Sequence, residues 1–230
     1  MTFPSVHEMF DPLTTVRKQH TWSWFSGSSS GSISGGTTTG ILDDWSITNN
    51  VGSNSYGVND EVDGGFKITT GTASNCVLTL NNGNNATHKW TDPTNCVWIA
   101  VIKQFQTTNQ KCDFGLRGTT STGATNNANH FKQHTSWSPS DEWFYETSQN
   151  NTAKEISTGV TVDTAWHTFK GEQSSSSCSG SIDGVLKVTM DDTNASGKRP
   201  NDRQQFTMQM QNLSGVSRSL AIRYVEVYNT

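Results

Sequence analysis

Short runs of alternating apolar and polar residues follow one another along the chain from residue 44 onward. Such alternation places every second side chain on one face of a β-strand, and turn residues such as Asn, Asp and Gly separate the runs. No helical periodicity longer than two turns is visible. The pattern predicts an all-β sandwich, with strands at Asp44–Thr48, Gly65–Thr70, Cys76–Leu80, Asn95–Gln106, Asp113–Arg117, His130–Thr135, Trp143–Thr147, Thr152–Ile156, Trp166–Gly171, Gly180–Met190, Gln205–Gln211 and Ser219–Tyr228.

One of these runs is much more apolar than the others. Cys96 to Phe105 reads Cys-Val-Trp-Ile-Ala-Val-Ile-Lys-Gln-Phe, a nearly continuous hydrophobic segment. A strand that is buried on both faces has this composition, so the segment is predicted to lie in the middle of a sheet.

The first 40 residues have a different character. Pro4 and Pro12 interrupt the N-terminal segment, and only Thr21–Phe25 alternates like a strand. Ser26–Gly40 consists almost entirely of Ser, Gly and Thr, a composition that is typical of flexible linkers. We therefore predict an N-terminal docking arm and linker over residues 1–40 and a β-sandwich over residues 41–230.

Two strand patterns in the C-terminal half carry a resemblance to a known superfamily. Trp166-His-Thr-Phe-Lys170 is followed, after a polar spacer, by Ser181–Met190, in which Asp183-Gly184 suits a tight type I′ turn. Leu220–Tyr228 has the pattern of a closing strand. This order resembles the concanavalin A-like lectin/glucanase superfamily, which includes laminin-G-type modules, from about Asp43 to the C-terminus. The resemblance implies a jelly-roll sandwich of two antiparallel sheets that binds or cleaves carbohydrate, with His167 in a structural role.

Composition and charge exclude several classes of protein. Charged residues make up only 16% of the chain, and eight Trp and ten Phe can fill a core, so the low hydrophobic share of 31% does not indicate disorder. The net charge of −4 and the isolated basic pairs Arg17-Lys18 and Lys198-Arg199 argue against nucleic-acid binding. No run of 18 apolar residues is present, so no membrane span is predicted.

The four cysteines, Cys76, Cys96, Cys112 and Cys178, are widely spaced. No CxxC pair or Cys/His cluster accompanies them, so a zinc site is not expected. Two disulfides and four free, half-buried thiols are both compatible with this spacing.

Candidate catalytic residues are few. Glycoside hydrolysis needs two carboxyl groups on either side of one bond, and the resemblance implies a Glu-x-Asp-x-Glu strand that aims three acids into a cleft. Glu142 and Glu146 have the outer spacing, but Phe144 stands between them, and their Cα atoms would be about 13 Å apart on a strand. Glu61-Val-Asp63 supplies half of the motif and is followed by Gly65. We expect no catalytic activity, and ordinary surface carboxylates are the simpler interpretation.

Metal and sugar sites have their own candidates. No cofactor is expected, although oxygen-rich loops could hold Ca²⁺; the residues concerned are Asp60, Asp63, Asp191 and Asp192. A sugar site needs an aromatic platform with amide groups nearby. The candidates are Trp90, Trp137, Trp143, Tyr145 and Asn127, with solvated turns and ordinary sandwich packing as the alternatives.

The predicted location of the protein follows from a contrast between its surface composition and its N-terminal segment. The surface is rich in Ser, Thr and Asn like that of an extracellular adhesin, yet residues 1–11 contain no apolar signal segment. A virion protein resolves the contrast, because it is assembled in the host cytoplasm and leaves with the particle. We expect a non-enzymatic virion surface protein (a capsid decoration, head fibre or tail appendage), homo-oligomeric and docked to other virion subunits through residues 1–40, that displays the sandwich to host glycans. The alternatives are a free carbohydrate-binding module or glycoside hydrolase of glucanase-like fold, and an architectural subunit without a ligand.

Overall fold

The computed structural model describes residues 20–24, 31–42, 45–58, 64–82, 95–118, 128–135, 141–149, 152–191, 200 and 204–229. These residues contain no helix, and therefore none that could cross a membrane. They form β1 (His20–Trp24), β2 (Gly31–Leu42), β3 (Trp45–Val58), β4 (Phe66–Thr69), β5 (Val77–Asn82), β6 (Cys96–Gln104), β7 (Gln110–Arg117), β8 (Ala128–His134), β9 (Glu142–Gln149), β10 (Thr152–Thr161), β11 (His167–Gln173), β12 (Ser177–Ile182), β13 (Val185–Asp191), β14 (Gln205–Asn212) and β15 (Ser219–Asn229).

The strands pair in one antiparallel path, β10-β9-β8-β7-β14-β5-β3-β4-β15-β6-β11-β12-β13. The long strand β3 belongs to two layers: its first half pairs with β5 and its second half with β4. The first sheet consists of β10, β9, β8, β7, β14, β5 and the first half of β3. The second sheet consists of the second half of β3, β4, β15, β6, β11, β12 and β13. β1 pairs with β15, and β2 pairs with β3.

The core lies between the two sheets and is largely aromatic. Phe114 of the first sheet contacts Phe169 of the second with ring centroids 4.6 Å apart, and Phe131 contacts Phe169 at 5.1 Å. Trp98 contacts Phe206 at 5.8 Å. These edge-on and tilted ring contacts join strands that are far apart along the pairing path, so the path is folded over into a sandwich.

Two predictions about individual elements are confirmed. β6 lies between β15 and β11, and its even-numbered side chains are all buried. Asp183 and Gly184 connect β12 and β13 with φ of 50° and 77°, the left-handed conformation that a type I′ turn requires.

The prediction of a flexible linker up to Gly40 is wrong for residues 31–40, which together with Ile41 and Leu42 form a strand. These residues form β2, which pairs with β3 from Gly31 opposite Tyr56 to Leu42 opposite Trp45. Main-chain hydrogen bonds hold such a strand, and they do not depend on apolar alternation. Most of the docking arm, residues 1–19, lies outside the described residues. All four cysteines are buried thiols that form no disulfide, so the disulfide alternative is excluded.

Candidate functional site

Strand alternation gives the first sheet a second face, which points away from the core and is lined by polar side chains. One row of directly opposed residues runs through Asn81, Thr207, Gly115, His130, Glu146 and Glu155. The neighbouring row runs through Thr79, Gln209, Asp113, Lys132, Phe144 and Ser157. Directly opposed side chains share a face of the sheet, so hydroxyl, amide and charged groups lie side by side across six strands.

Several charged groups on this outer face are paired with one another. The Lys132 Nζ donates to the carboxylates of both Glu146 and Glu155. Arg117 Nη1 lies 3.0 Å from Asp113 Oδ1. Burial of an unpaired charge is costly, and these pairs let Asp113, Lys132 and Glu146 be buried although they point away from the core.

Burial changes the acidity of two of these groups. Burial and the adjacent Glu155 raise the pKa of Glu146 to about 7, although Lys132 opposes the shift. Burial lowers the pKa of His130 well below its usual value, and the positive charges of Arg117, Lys132 and Lys111 lower it further. His130 is therefore neutral, with its Nε2 3.8 Å from Glu146 Oε1.

One end of the outer face is accessible. Whereas the side chains around His130 are buried, a group at the other end is half-buried and reaches solvent. We call this group the open end; it consists of Lys111, His134, Glu142, Phe144 and Gln211. Lys111 lies directly between Gln211 and His134 on the neighbouring strands. Burial, together with the charges of Lys111 and Lys132, lowers the pKa of His134.

The prediction of Trp143 and Tyr145 as sugar platforms is wrong. Both rings point into the core, where Trp143 contacts Phe114 at 5.4 Å and the Tyr145 hydroxyl donates to Asn129 Oδ1 at 2.6 Å. They are 2% and 0% exposed, so neither can meet a ligand. Side chains alternate along β9, so Phe144 between them is the aromatic residue that faces outward.

Several other predicted site residues lie outside the described part of the chain. These are Trp90, Trp137, Asn127, Asp60, Asp63 and Asp192. Asp191 is half-buried at the end of β13, opposite Ser177. Within the described ranges, no group of three His, Cys, Asp or Glu side chains is placed to hold a metal ion.

Glu142 and Glu146, the predicted pair of acids, share the outer face of β9 but are engaged separately. Glu142 accepts a hydrogen bond from the Ser157 hydroxyl, and Glu146 is bound to Lys132. The carboxylate closest to Glu146 is Glu155, which lies directly opposite on β10. Sequence reasoning missed Glu155 because only the register of β9 and β10 brings the two together. In the strands that the structure describes, none shows three acids at alternate positions.

His167 has the structural role that the resemblance implies. Its Nδ1 lies 2.6 Å from Asp183 Oδ2 and its Nε2 2.9 Å from Asp163 Oδ1. Burial lowers the pKa of His167, but the hydrogen bonds and charges of the two aspartates outweigh it and leave the pKa raised. The imidazolium thus joins the start of β11 to the turn between β12 and β13.

Comparison with known proteins identifies the fold. No family model and no curated protein matches the sequence. A β-1,3-glucanase from Mycobacterium marinum is similar in structure, with a TM-score of 0.61 and 12% identity over 90% of this chain and 97% of that one. The fold is a concanavalin A-like jelly roll.

Two further structures show the same fold. A mixed linkage glucan GH16 protein from Bacteroides ovatus has a TM-score of 0.57 and 11% identity, covering 80% of this chain and 94% of its own. A pseudo β-1,3-glucanase of Mycobacterium tuberculosis has a TM-score of 0.51 and 9% identity, covering 72% of this chain and 75% of its own. At these identities the likeness concerns the fold alone.

Proposed function

We propose that this chain is a carbohydrate-binding module without glycosidase activity, which holds a glycan at the open end of the outer face. The observation that carries the proposal is Phe144, a half-buried aromatic ring among side chains that can hydrogen-bond hydroxyl groups. The glucan-related names of the structural neighbours support the same class of ligand.

The chemistry of the open end suits a sugar ring. An aromatic ring packs against the C–H face of a pyranose, and polar side chains around it bind the hydroxyl groups and fix the orientation. Leading away from Phe144 across three successive strands, the imidazole of His134, the ammonium of Lys111 and the amide of Gln211 supply donors, and the Glu142 carboxylate on the same strand as Phe144 supplies an acceptor. Lys132 and Asp113 lie buried beside them and hold the surface in place.

The carboxylates of this face are poorly arranged for hydrolysis. A general acid and a nucleophile must stand free on either side of the scissile bond. Lys132 binds both Glu146 and Glu155 and neutralises the pair, while Glu142 is engaged by Ser157. The proposal is therefore binding without cleavage.

Substitution of Phe144 tests the proposal. Binding of laminarin and barley β-glucan would be measured by affinity electrophoresis and calorimetry for the native chain, Phe144→Ala and Phe105→Ala. Phe105 is also half-buried and aromatic but contacts Lys67 and Lys103, so it is the matched control. We expect Phe144→Ala to bind about tenfold more weakly or worse, a loss of about 1.4 kcal/mol or more, and Phe105→Ala to bind normally. Equal binding by the two variants contradicts the proposal.

A glycoside hydrolase is the second candidate, favoured by one observation. Glu146 and Glu155 are directly opposite, and the pKa of Glu146 is raised to about 7, as a general acid requires. This candidate predicts release of reducing sugar from β-glucan that is abolished in Glu146→Gln. Absence of release from the native protein, at concentrations at which the glucan binds, rejects it.

The virion setting is a separate proposal that concerns attachment. Most of the N-terminal arm that suggested it lies in residues 1–19, whereas residues 31–42 belong to the sheet. Deletion of residues 1–19 would be expected to abolish attachment to particles and leave glycan binding intact. Attachment that survives this deletion contradicts the docking arm.

A further inference from the structure

The central strands of the outer face carry an excess of basic residues. β7 and β8 are neighbours near the middle of the first sheet. Their outward-facing ionisable side chains comprise five basic residues and the single acid Asp113; the basic residues are Lys111, Arg117, His130, Lys132 and His134. This arrangement contrasts with the net charge of −4 for the whole chain.

Most of the charged residues in this group are compensated within the protein. Asp113 pairs with Arg117, and Lys132 pairs with Glu146 and Glu155. Lys111 differs from both, because within the described residues no carboxylate lies within ion-pair distance of its ammonium group. It is half-buried at the open end, directly opposite His134.

The Lys111 ammonium carries a charge that no described carboxylate balances at ion-pair distance. Burial chiefly lowers the pKa of the neighbouring His134, and the charges of Lys111 and Lys132 add to this while Glu155 opposes it. Glu142 shares this face, but its carboxylate accepts the Ser157 hydroxyl from β10, on the side of β9 away from β8. An anion at Lys111 would therefore meet two cationic or donor groups.

We propose that the glycan bound at the open end is acidic, and that Lys111 and His134 bind a carboxylate or sulfate group on its sugar rings. This inference rests on the proposed function. Phe144 lies opposite Lys132, which makes it a diagonal neighbour of His134, and such neighbours are about 7–8 Å apart. Adjacent strands are about 4.8 Å apart, so Lys111 lies one strand beyond His134. A sugar ring stacked on Phe144 can thus direct an anionic substituent towards both basic groups.

The experiment compares acidic and neutral polysaccharides on the intact chain. Affinities for polygalacturonate, which carries carboxylates, and for dextran sulfate, which carries sulfates, are measured beside those for laminarin and barley β-glucan. The variants are Lys111→Met, Phe144→Ala and Lys187→Met; Lys187 is an exposed lysine on β13 of the second sheet and serves as the matched control.

We expect at least one acidic polymer to bind the native chain about tenfold more tightly than the neutral ones, because hydrogen bonds to charged groups are the strong ones. Lys111→Met should remove this preference by weakening acidic binding about tenfold and neutral binding by much less, since a hydrogen bond to a charged group is the stronger one. Lys187→Met should match the native chain. Which polymer shows the preference distinguishes a carboxylate from a sulfate ligand.

Three results overturn the inference. If neutral and acidic polymers bind equally and Phe144→Ala weakens both, the site binds glycans but does not select acidic ones, and the proposed function stands. If an acidic preference exists but Lys111→Met and Lys187→Met affect it equally, the preference arises from general charge and not from this site. If no polymer of either kind binds, the proposed function fails together with this inference.

Discussion

The carboxyl group of Glu146 is buried. Because burial raises its pKa, the folding stability depends on pH. Its pKa is raised from 4.5 to about 7 in the folded protein, chiefly by burial. The folded state therefore holds the proton more tightly than the unfolded chain between these values. The resulting stabilisation is fully present below about pH 4.5 and is lost as pH rises through about 7.

The native protein should consequently lose stability between pH 5 and pH 7.5 at a slope that Glu146→Gln reduces. Thermal unfolding at several pH values measures this slope. In the control Glu172→Gln, on the second sheet, Glu146 is intact and the slope should remain. An identical slope in native protein and Glu146→Gln would contradict the assignment.

The neighbours of Gly171 leave no room for a larger side chain at this position. A Cβ there would lie near Trp98 and Asn129, at 2.7 Å from Asn129 Oδ1. The Trp98 indole N–H donates to this same oxygen at 3.2 Å, so the core cannot move aside without losing that bond. Gly171→Ala should lower the free energy of unfolding by about 1–3 kcal/mol in urea. Ser179→Ala on the neighbouring β12 should change it by less than about 0.5 kcal/mol, and equal effects would argue against the packing account.

At the residue scale, the sequence showed that this part of the chain is aromatic, but it did not show which of the side chains face outward. The segment from Trp143 to Tyr145 was expected to supply a sugar platform, and the aromatic ring that faces outward is Phe144 between them. All three residues are aromatic, so hydrophobicity does not show which parity of the strand faces the core. The pairing with β8 and the packing of β9 against the core decide it, and the local pattern of β9 records neither.

At the scale of elements, the β12–β13 hairpin depends on the Asp183 side chain. Its Oδ2 bonds the His167 ring, and its Oδ1 accepts the Thr168 N–H at 2.9 Å. Asn tolerates the positive φ of this position and retains an acceptor oxygen, so Asp183→Asn removes mainly the charge. The variant should lower the pKa of His167, measured by NMR titration, with His134 unchanged as the internal reference.

The same change should also affect stability with a definite sign. Because the pKa of His167 is raised on folding, its contribution is fully present below the unfolded value of 6.5 and is lost as pH rises through the folded value. The native chain should therefore exceed Asp183→Asn in melting temperature more at pH 6 than at pH 9. A larger difference at pH 9 would contradict the role of the imidazolium.

Strands with apolar alternation were predictable, and strands without it were not. β6, β11 and β15 were expected from their patterns, and the structure contains each of them, whereas the predicted run Gly180–Met190 is divided by the Asp183-Gly184 turn between β12 and β13. β2 was read as a linker because Gly, Ser and Thr give no alternation. Its pairing with β3 depends on main-chain hydrogen bonds and on the position of a partner strand, which a local pattern does not encode.

At the scale of the whole molecule, the fold followed from the sequence and the site did not. The order of strand patterns and the Asp183-Gly184 turn led to the jelly roll, which the structural neighbours confirm. The outer face combines the consecutive strands β7 to β10 with β14 and β5, which are distant from them in sequence. The order of the strands in the sheet brings together the residues of its basic centre and of its accessible end, so no single sequence motif predicts them.

The most direct test of the account is a map of the glycan-binding surface by NMR chemical-shift perturbation on the full chain. Titration with a binding polysaccharide fragment should shift the resonances of Lys111, His134 and Phe144, with smaller changes at the buried residues beneath them. The outer face of the second sheet, including Ile99 and Lys170, should remain unchanged. Perturbations confined to the second sheet would contradict the location of the binding site.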